Sequence, residues 1–474
     1  MKVQLLQTLR WWPCLIGLLS IVPPPPVSAA SAASAPAQPV VEAEDEVYRF
    51  DPPNNGSGPL WCSGSTCLVR SGDAVLASGV ETLKKVQPLN NVRWTLWKRE
   101  TSGWELQLAD PTGRTREPSP LAVLGDGRLL LSANPTLTAP DKRNGPARPE
   151  ILQFNVSHPK EPCKTLRPEW DGSPAFTEHS YRTFAADGPG RAAILFQNVG
   201  YTHAEWSLFS SDGHTCAHGR LVWPWGAEYD KPQPIRVCYP TAMLKGRAVH
   251  FCGVSDIIEP YAKWRDCKFK ITNQHWDYDF RRLFYTWSDD VATGKFHDWV
   301  EIASRDKTCG WIKPCDLWLD EAGTVHLLWA ERSLDARLRK EFFPDAKLTY
   351  ALCYARVRRG KVVSRQAIVE GGEELSGEMC QWGRFQVAPG GRLFVVGYVN
   401  GRDAKGKALD ENRVWEISRD GSVGRTMRIP LKYPLTCYFT ATVRGGSAPS
   451  TTLDLLGTTA AASNVLRYAR VRLW

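Results

Sequence analysis

The sequence of 474 residues predicts an all-β fold: a seven-bladed β-propeller of four-stranded blades, its ring closed by an N-terminal strand. Three observations carry that reading. The chain holds 20 Trp, 38 Gly and 34 Pro with few long helix-forming runs, a composition suited to many short strands joined by turns. One pattern recurs along it: an apolar run, a Gly-containing turn, a second apolar run, a variable loop and an aromatic-rich run. The last copy ends at Trp474 after its third strand, so a fourth must come from the other end of the chain, where EVYRFD (46–51) is available.

Taken in order, residues 1–29 read as a signal peptide. Lys2 and Arg10 precede an apolar core over 14–22, prolines follow, and small residues offer cleavage after Ala29 or Ala30. That core is too short to span a bilayer, which takes roughly 20 apolar residues. No later segment has that length and apolarity, so no transmembrane anchor is expected, and the protein is expected to be secreted or periplasmic. Residues 30–45 read as an Ala/Ser/Pro tether and 46–474 as a single propeller.

The repeat places the first three strands of each blade as follows. Blade one takes 60–69, 74–78 and 92–98, and blade two takes 120–124, 128–133 and 150–156. Blade three takes 180–186, 192–196 and 204–209; blade four takes 238–244, 248–254 and 282–287. Blade five takes 315–319, 324–330 and 348–355, and blade six takes 380–387, 393–399 and 413–417. Blade seven takes 436–443, 452–456 and 465–471. A lone meander of this kind leaves a sheet face and an edge unburied. Radial packing of several buries the faces and leaves only short edges. A stack or sandwich of sheets is the alternative.

The net charge of +9 contains no concentrated Lys/Arg block, which argues against nucleic acid and favours an anionic glycan as partner. A monomer is expected. Of 13 cysteines, Cys14 falls in the signal segment, and the remaining even number permits disulfides in an oxidising compartment. The alternative is that they are small buried hydrophobes. Cys238, Cys315 and Cys437 open inner strands at the same distance from their turns, as Cys62 and Cys380 nearly do, a pattern that narrow packing at the axis explains. His214, Cys216 and His218 alternate along one strand face; a structural metal ion is conceivable there, but no fourth ligand is evident and no cofactor is expected.

In a propeller the inner-strand starts and second-strand ends meet around the axis at one face, where ligands usually bind. The starts bring His179, Tyr181, Arg182, Tyr239, Asp316 and Trp382 to that face. The ends bring His203, Asp256, Glu331 and Arg332. His179, beside Glu178, is the leading general-base candidate, with His203 and Tyr239 as partners. Asp316 and Glu331 are a candidate carboxylate pair for hydrolysis, which needs a separation of roughly 5–9.5 Å. The insertion at 256–281 interleaves Tyr261, Trp264 and Trp276 with Arg265 and Arg281. Aromatic faces stack on sugars and cations suit uronate or sulfate, so it is expected to wall the site; a small satellite core is the competing reading.

Three turns carry a resemblance. Ser210-Ser211-Asp212-Gly213, Ser288-Asp289-Asp290 with Gly294, and Ser418-Arg419-Asp420-Gly421 resemble degenerate Asp boxes of sialidase-like (BNR) propellers, and the run PCDLWLDEAGTVHLLW over 314–329 resembles the strand pattern of that superfamily. A true sialidase is not expected, since those have six blades and an Arg-Ile-Pro arginine for the substrate carboxylate. In blade count the chain is more similar to seven-bladed polysaccharide lyases and related glycosidases. Those lyases use a His and a Tyr to move protons and an Arg or second His to quiet the uronate charge. His179, His203 and Tyr239 fit by blade position, and no arginine is assigned. The resemblance implies a secreted enzyme degrading an anionic, uronate-containing polysaccharide by β-elimination or hydrolysis. A non-catalytic propeller that binds glycan or protein is the alternative.

Overall fold

The computed structural model describes residues 38–474 apart from 161 and 163; the signal segment and most of the tether lie outside the described residues. Seven four-stranded sheets surround an axis; six run from an inner strand to an outer one in chain order, and the seventh takes its outermost strand from the N-terminal end of the described residues. The inner strands are Leu68–Ser71, Leu121–Val123, Arg182–Asp187, Val237–Lys245, Trp311–Leu319, Glu378–Ala388 and Cys437–Thr440. Between neighbouring sheets lie apolar seams containing the fully buried Trp206 and Trp329. Each Val, Leu or Phe in such a seam contributes roughly 1.5–3 kcal/mol through burial. The seams therefore hold the ring together and leave its axial face to loops.

The ring closes as the repeat requires, by a longer strand than predicted. Val40–Arg49 pairs antiparallel with Val465–Arg472, placing Val40 opposite Arg472 and Arg49 opposite Val465. Residues 40–45, read as tether, are thus part of blade seven. Val41 packs toward blade six, while Val47 and Tyr48 fill the seam to blade one, so the strand is held by side chains on both faces.

The first blade differs more from its predicted form. Its inner strand starts at Leu68, not at residue 60, because residues 61–66 leave the sheet and run into the axis. There Gly64 O accepts from Arg444 Nη1 (2.6 Å), Ser63 O accepts from Arg384, and Ser65 Oγ accepts from Phe184 N (2.9 Å). A side chain at Gly64 would put its Cβ 1.7 Å from Pro240 O, so only glycine fits this crossing. Groups from blades three, four, six and seven thereby converge on one short segment, which plugs the channel.

All eleven described cysteines are free, which corrects the expectation of disulfides among them; Cys14 and Cys163 lie outside the described residues. Cys238, Cys315 and Cys380 are fully buried in the inner strands, in the role of small hydrophobes. His214, Cys216 and His218 lie in or beside the outer strand of blade three, Thr215–Val222, and the described residues hold no cluster suited to a metal ion. No helix among them is long and apolar enough to cross a membrane. In the Asp-Gly turns, Asp212 Oδ1 accepts from His214 N (3.1 Å) and Asp420 Oδ1 from Ser422 N (2.9 Å), with Gly213 and Gly421 at φ +79° and +89°. These are the bonds that any such turn chemistry produces, and they define no family.

Candidate active site at the mouth of blades three and four

The best-furnished cavity, about 410 Å³, lies where the inner-strand starts of blades three and four meet. A tight turn positions its histidine: Ser180 N donates to Thr177 O (3.1 Å), Thr177 N to Ser180 Oγ (3.0 Å), and His179 N to Thr177 Oγ1 (3.2 Å). Tyr181 follows one residue before the strand. Asn198, near the end of the second strand, ties the blades together through Nδ2 to Val237 O (3.0 Å). Blade four contributes Arg236 from the start of its inner strand and Asp256 from just beyond its second. The insertion supplies Tyr278 and Phe280 as the outer wall.

Electrostatics set the protonation state of His179. Partial burial, then the guanidiniums of Arg116 and Arg236, lower its pKa to about 4, so the ring is neutral at neutral pH. Arg116 Nη1 meets His179 Nδ1 directly, and because arginine only donates, Nδ1 is the accepting nitrogen. The neighbouring Glu178 is no close partner of the ring: its Oε1 stands 3.9 Å from His179 Nε2, while Oε2 accepts from Gly145 N (3.1 Å).

Arg236 is surrounded by aromatic faces. Its Cζ lies 4.0 Å from the Tyr201 ring centroid and 5.6 Å from those of Tyr181 and Tyr278. Its Nη2 pairs with Asp256 at 2.5 Å, and Nε donates to Asp256 O (3.1 Å). Burial nonetheless raises the Asp256 carboxyl above its ordinary range. The Tyr181 and Tyr239 rings pack at 5.1 Å between centroids, and burial raises both hydroxyls well above the usual phenol value. Tyr239 itself sits at φ +46° in a bulge of the blade-four inner strand, a conformation rare for a bulky residue. The bulge turns it toward the axis, where it meets Trp61 at 5.7 Å and Phe280 at 5.8 Å.

Several expected members lie elsewhere. His203 turns to the outer side of blade three, its ring between Thr202 Oγ1 (2.8 Å) and Glu205 Oε1 (3.1 Å), and does not line the cavity. Asp316 is buried in the axial plug, accepting from Arg444 Nε (2.7 Å), Phe385 N (2.9 Å) and Leu317 N (2.9 Å). Glu331 is buried against Arg305 and Trp329 Nε1 (3.0 Å); burial opposes ionisation, but Arg305 holds its carboxyl below the usual range. Glu331 pairs across the sheet with Ile312, four residues from Asp316, which separates the two by on the order of 12 Å. They form no carboxylate pair. Arg182 is buried, donating to Pro118 O (2.6 Å), and Trp382 donates to Tyr438 O (3.0 Å) beside the plug.

The insertion folds mostly as a satellite core. Helix α1 (Ala262–Thr272) buries Trp264 against Phe343 and Leu338. Tyr261 Oη donates to Asp306 Oδ2 (2.8 Å). Arg281 is fully buried between Glu259 and Asp306, and burial notwithstanding, Arg281 and Lys268 hold Glu259 down to about 2. Arg265 is exposed and donates to Glu259 O (3.1 Å). Trp276 (63% exposed) and Arg332 border a separate polar hollow. The expected aromatic-basic wall is thus reduced to Tyr278 and Phe280. An Arg-Ile-Pro tripeptide does occur, at Arg428-Ile429-Pro430, but at the end of the outermost strand of blade six, with Arg428 paired to Glu411 at 3.0 Å.

Arg116 and Arg236 escaped the sequence reading for different reasons. Arg236 obeys the inner-strand rule, two residues ahead of where that strand was placed. Arg116 comes from the irregular link between blades one and two, and no repeat position marks it.

No family model and no curated protein matches the chain. Among solved structures, an ulvan lyase of polysaccharide lyase family PL25 has a TM-score of 0.48 at 9% identity, over 90% of this chain and 95% of the lyase. A Penicillium chrysogenum alpha-L-arabinanase complexed with arabinobiose has 0.41 at 11%, over 74% and 92%. A Mycobacterium tuberculosis puromycin-hydrolyzing peptidase has 0.45 at 11%, over 87% of this chain and 52% of the peptidase. The three carry unlike activities, and at these identities the likeness says nothing about the activity here.

Proposed function

We propose that this chain is an exported carbohydrate-active enzyme that cleaves an anionic, uronate-containing polysaccharide by β-elimination at the mouth of blades three and four. One observation carries the reading: a neutral histidine stands by two guanidiniums and a packed tyrosine pair, while Asp316, Glu331 and Asp256 are each held by an arginine. Hydrolysis needs two carboxylates facing a glycosidic bond. Elimination next to a carboxylate needs cations for the carboxylate, a base and an acid.

The roles follow from those positions. The substrate carboxylate draws the guanidiniums of Arg116 and Arg236. As Arg116 turns to it, His179 Nδ1 is released and takes the proton from the carbon next to the carboxylate. The electron pair forms a carbon–carbon double bond, the carbon–oxygen bond to the leaving sugar breaks, and Tyr181 gives that oxygen its proton. Tyr239, packed against Tyr181, is the route by which that proton is restored.

The test is incubation of purified protein with acidic polysaccharides, following reducing ends and the near-ultraviolet absorbance of the new double bond together. Joint growth of both supports elimination. Reducing ends without absorbance would move the case to hydrolysis, and silence on both, with retention on a glycan column, to a binding propeller.

A further inference from the structure

Beside the proposed active site, across a wall formed by Tyr181, Tyr239 and Phe280, lies a second cavity of about 230 Å³ directly over the axial plug. Trp61, Trp311, Tyr239, Phe280 and Leu60 line it, and Lys313 supplies its one cationic side chain. The Lys313 ammonium stands 4.0 Å from the centroid of the Trp382 ring and has no ion-pair or hydrogen-bond partner among the described residues. Its one contact is the face of that ring, so the ammonium is left without a counter-charge and can take an external anion. Behind it the plug adds to the positive field. Arg384 is fully buried against the same Trp382 ring at 4.5 Å, and bonds only carbonyl oxygens, Tyr438 O at 3.4 Å and those of Cys315 and Ser63. With Arg444 and Asp316 beside it, the plug holds two guanidiniums against one carboxylate. Such a field, beside low-dielectric walls, favours an anion at the mouth.

The two cavities are neighbours on one track. Phe280 lines both, and the Trp61 ring lies 5.9 Å from the Arg116 guanidinium that touches His179. Beyond Trp61 and Lys313 the surface opens into a third hollow, of about 590 Å³, toward blade seven. We propose that the axial cavity is a second sugar subsite for a pyranose carrying a sulfate or carboxylate, with Lys313 binding the oxyanion and Trp61 offering a stacking face. The proposal deepens the elimination reading and rests on its anionic glycan as ligand. It makes the glycan run across the axis through adjoining subsites, so cleavage falls within a chain and not at its tip.

The test measures binding apart from turnover. Three hexasaccharides are titrated by tryptophan fluorescence and calorimetry: chondroitin sulfate, its desulfated form, and a form also reduced at its carboxyls. Wild type, His179→Ala and Lys313→Met are compared, with melting curves to confirm folding. Lys313→Met is expected to weaken one or both anionic probes by roughly ten- to a hundredfold, the effect of one charged hydrogen bond, and to leave the neutral probe unchanged. A loss confined to the sulfated form assigns sulfate; a loss for both anionic forms assigns the carboxylate. Equal affinity of Lys313→Met and wild type for every probe overturns the subsite, as does failure of wild type to bind either anionic probe. Cleavage by wild type with Lys313→Met binding unimpaired would sink the subsite and leave elimination standing. Weakened binding by Lys313→Met without cleavage of any uronate polymer would do the reverse.

Discussion

The axial plug and the pocket of blades three and four use the same materials in opposite ways. Each sets two arginines near one aspartate. In the plug, Asp316 accepts three bonds and is buried with Arg444, while Arg384 is surrounded by backbone carbonyls. Every strong partner of these three charges belongs to the protein. In the pocket, Arg236 shares Asp256 but stands open among three tyrosines, and Arg116 rests on a neutral histidine that an incoming anion can replace. Satisfied charges in the interior fix geometry, whereas charges with donors still facing a cavity are available for chemistry.

That contrast can be broken most sharply at the plug. Replacing Asp316 by Asn leaves Arg444 buried without its counter-charge and should cost roughly 3–5 kcal/mol of stability, read by denaturant unfolding. Gly64→Ala should be of similar severity, because its Cβ meets Pro240 O. An unchanged unfolding midpoint for both would mean that the plug is not structural. In the pocket the balance should reverse. His179→Ala is expected to lower turnover by about 100- to 10,000-fold with its melting temperature close to wild type, since the side chain is 48% exposed.

A pH profile sharpens the comparison further. The pKa of His179 is lowered from 6.5 to about 4, so its base form persists well into acid and the acidic limb of kcat/KM should fall near pH 4. Between those two values the unfolded chain binds a proton that the folded chain does not, so this group makes stability decline as pH drops from 6.5 toward 4. Replacing Arg116 with Gln removes one of the cations responsible and should move the limb upward, toward 6.5. A limb that stays in place would show that Arg116 does not govern the histidine. The smallest effect is expected at Trp276→Ala: this exposed residue stands outside the pocket and should change stability by no more than about 0.5 kcal/mol.

Residues on the repeat were legible from the sequence, and those off it were not. His179, Tyr181, Tyr239 and Asp256 arrive at one mouth because inner-strand starts and second-strand ends must converge in a ring of meanders. The same rule also nominated Asp316, Arg182 and Trp382. It fixes which end of a strand a residue occupies, but not whether the side chain points along the axis or into a seam. In the insertion, composition alone suggested a sugar-binding wall. The aromatic residues instead satisfied their own burial first, Trp264 and Tyr261 turning inward around the Glu259–Arg281 pair.

By itself, then, the sequence determined the seven blades, the need for a closing strand and the face on which a site would form, because strand periodicity and turn glycines are local properties. Only the tertiary structure decided that residues 61–66 fill the channel, that Arg116 reaches His179 from the link between blades one and two, and that the Lys313 ammonium has no ion-pair or hydrogen-bond partner among the described residues. Each of these depends on contacts between residues far apart in the chain, and whether a charge is satisfied or left open is settled only when those distant groups meet.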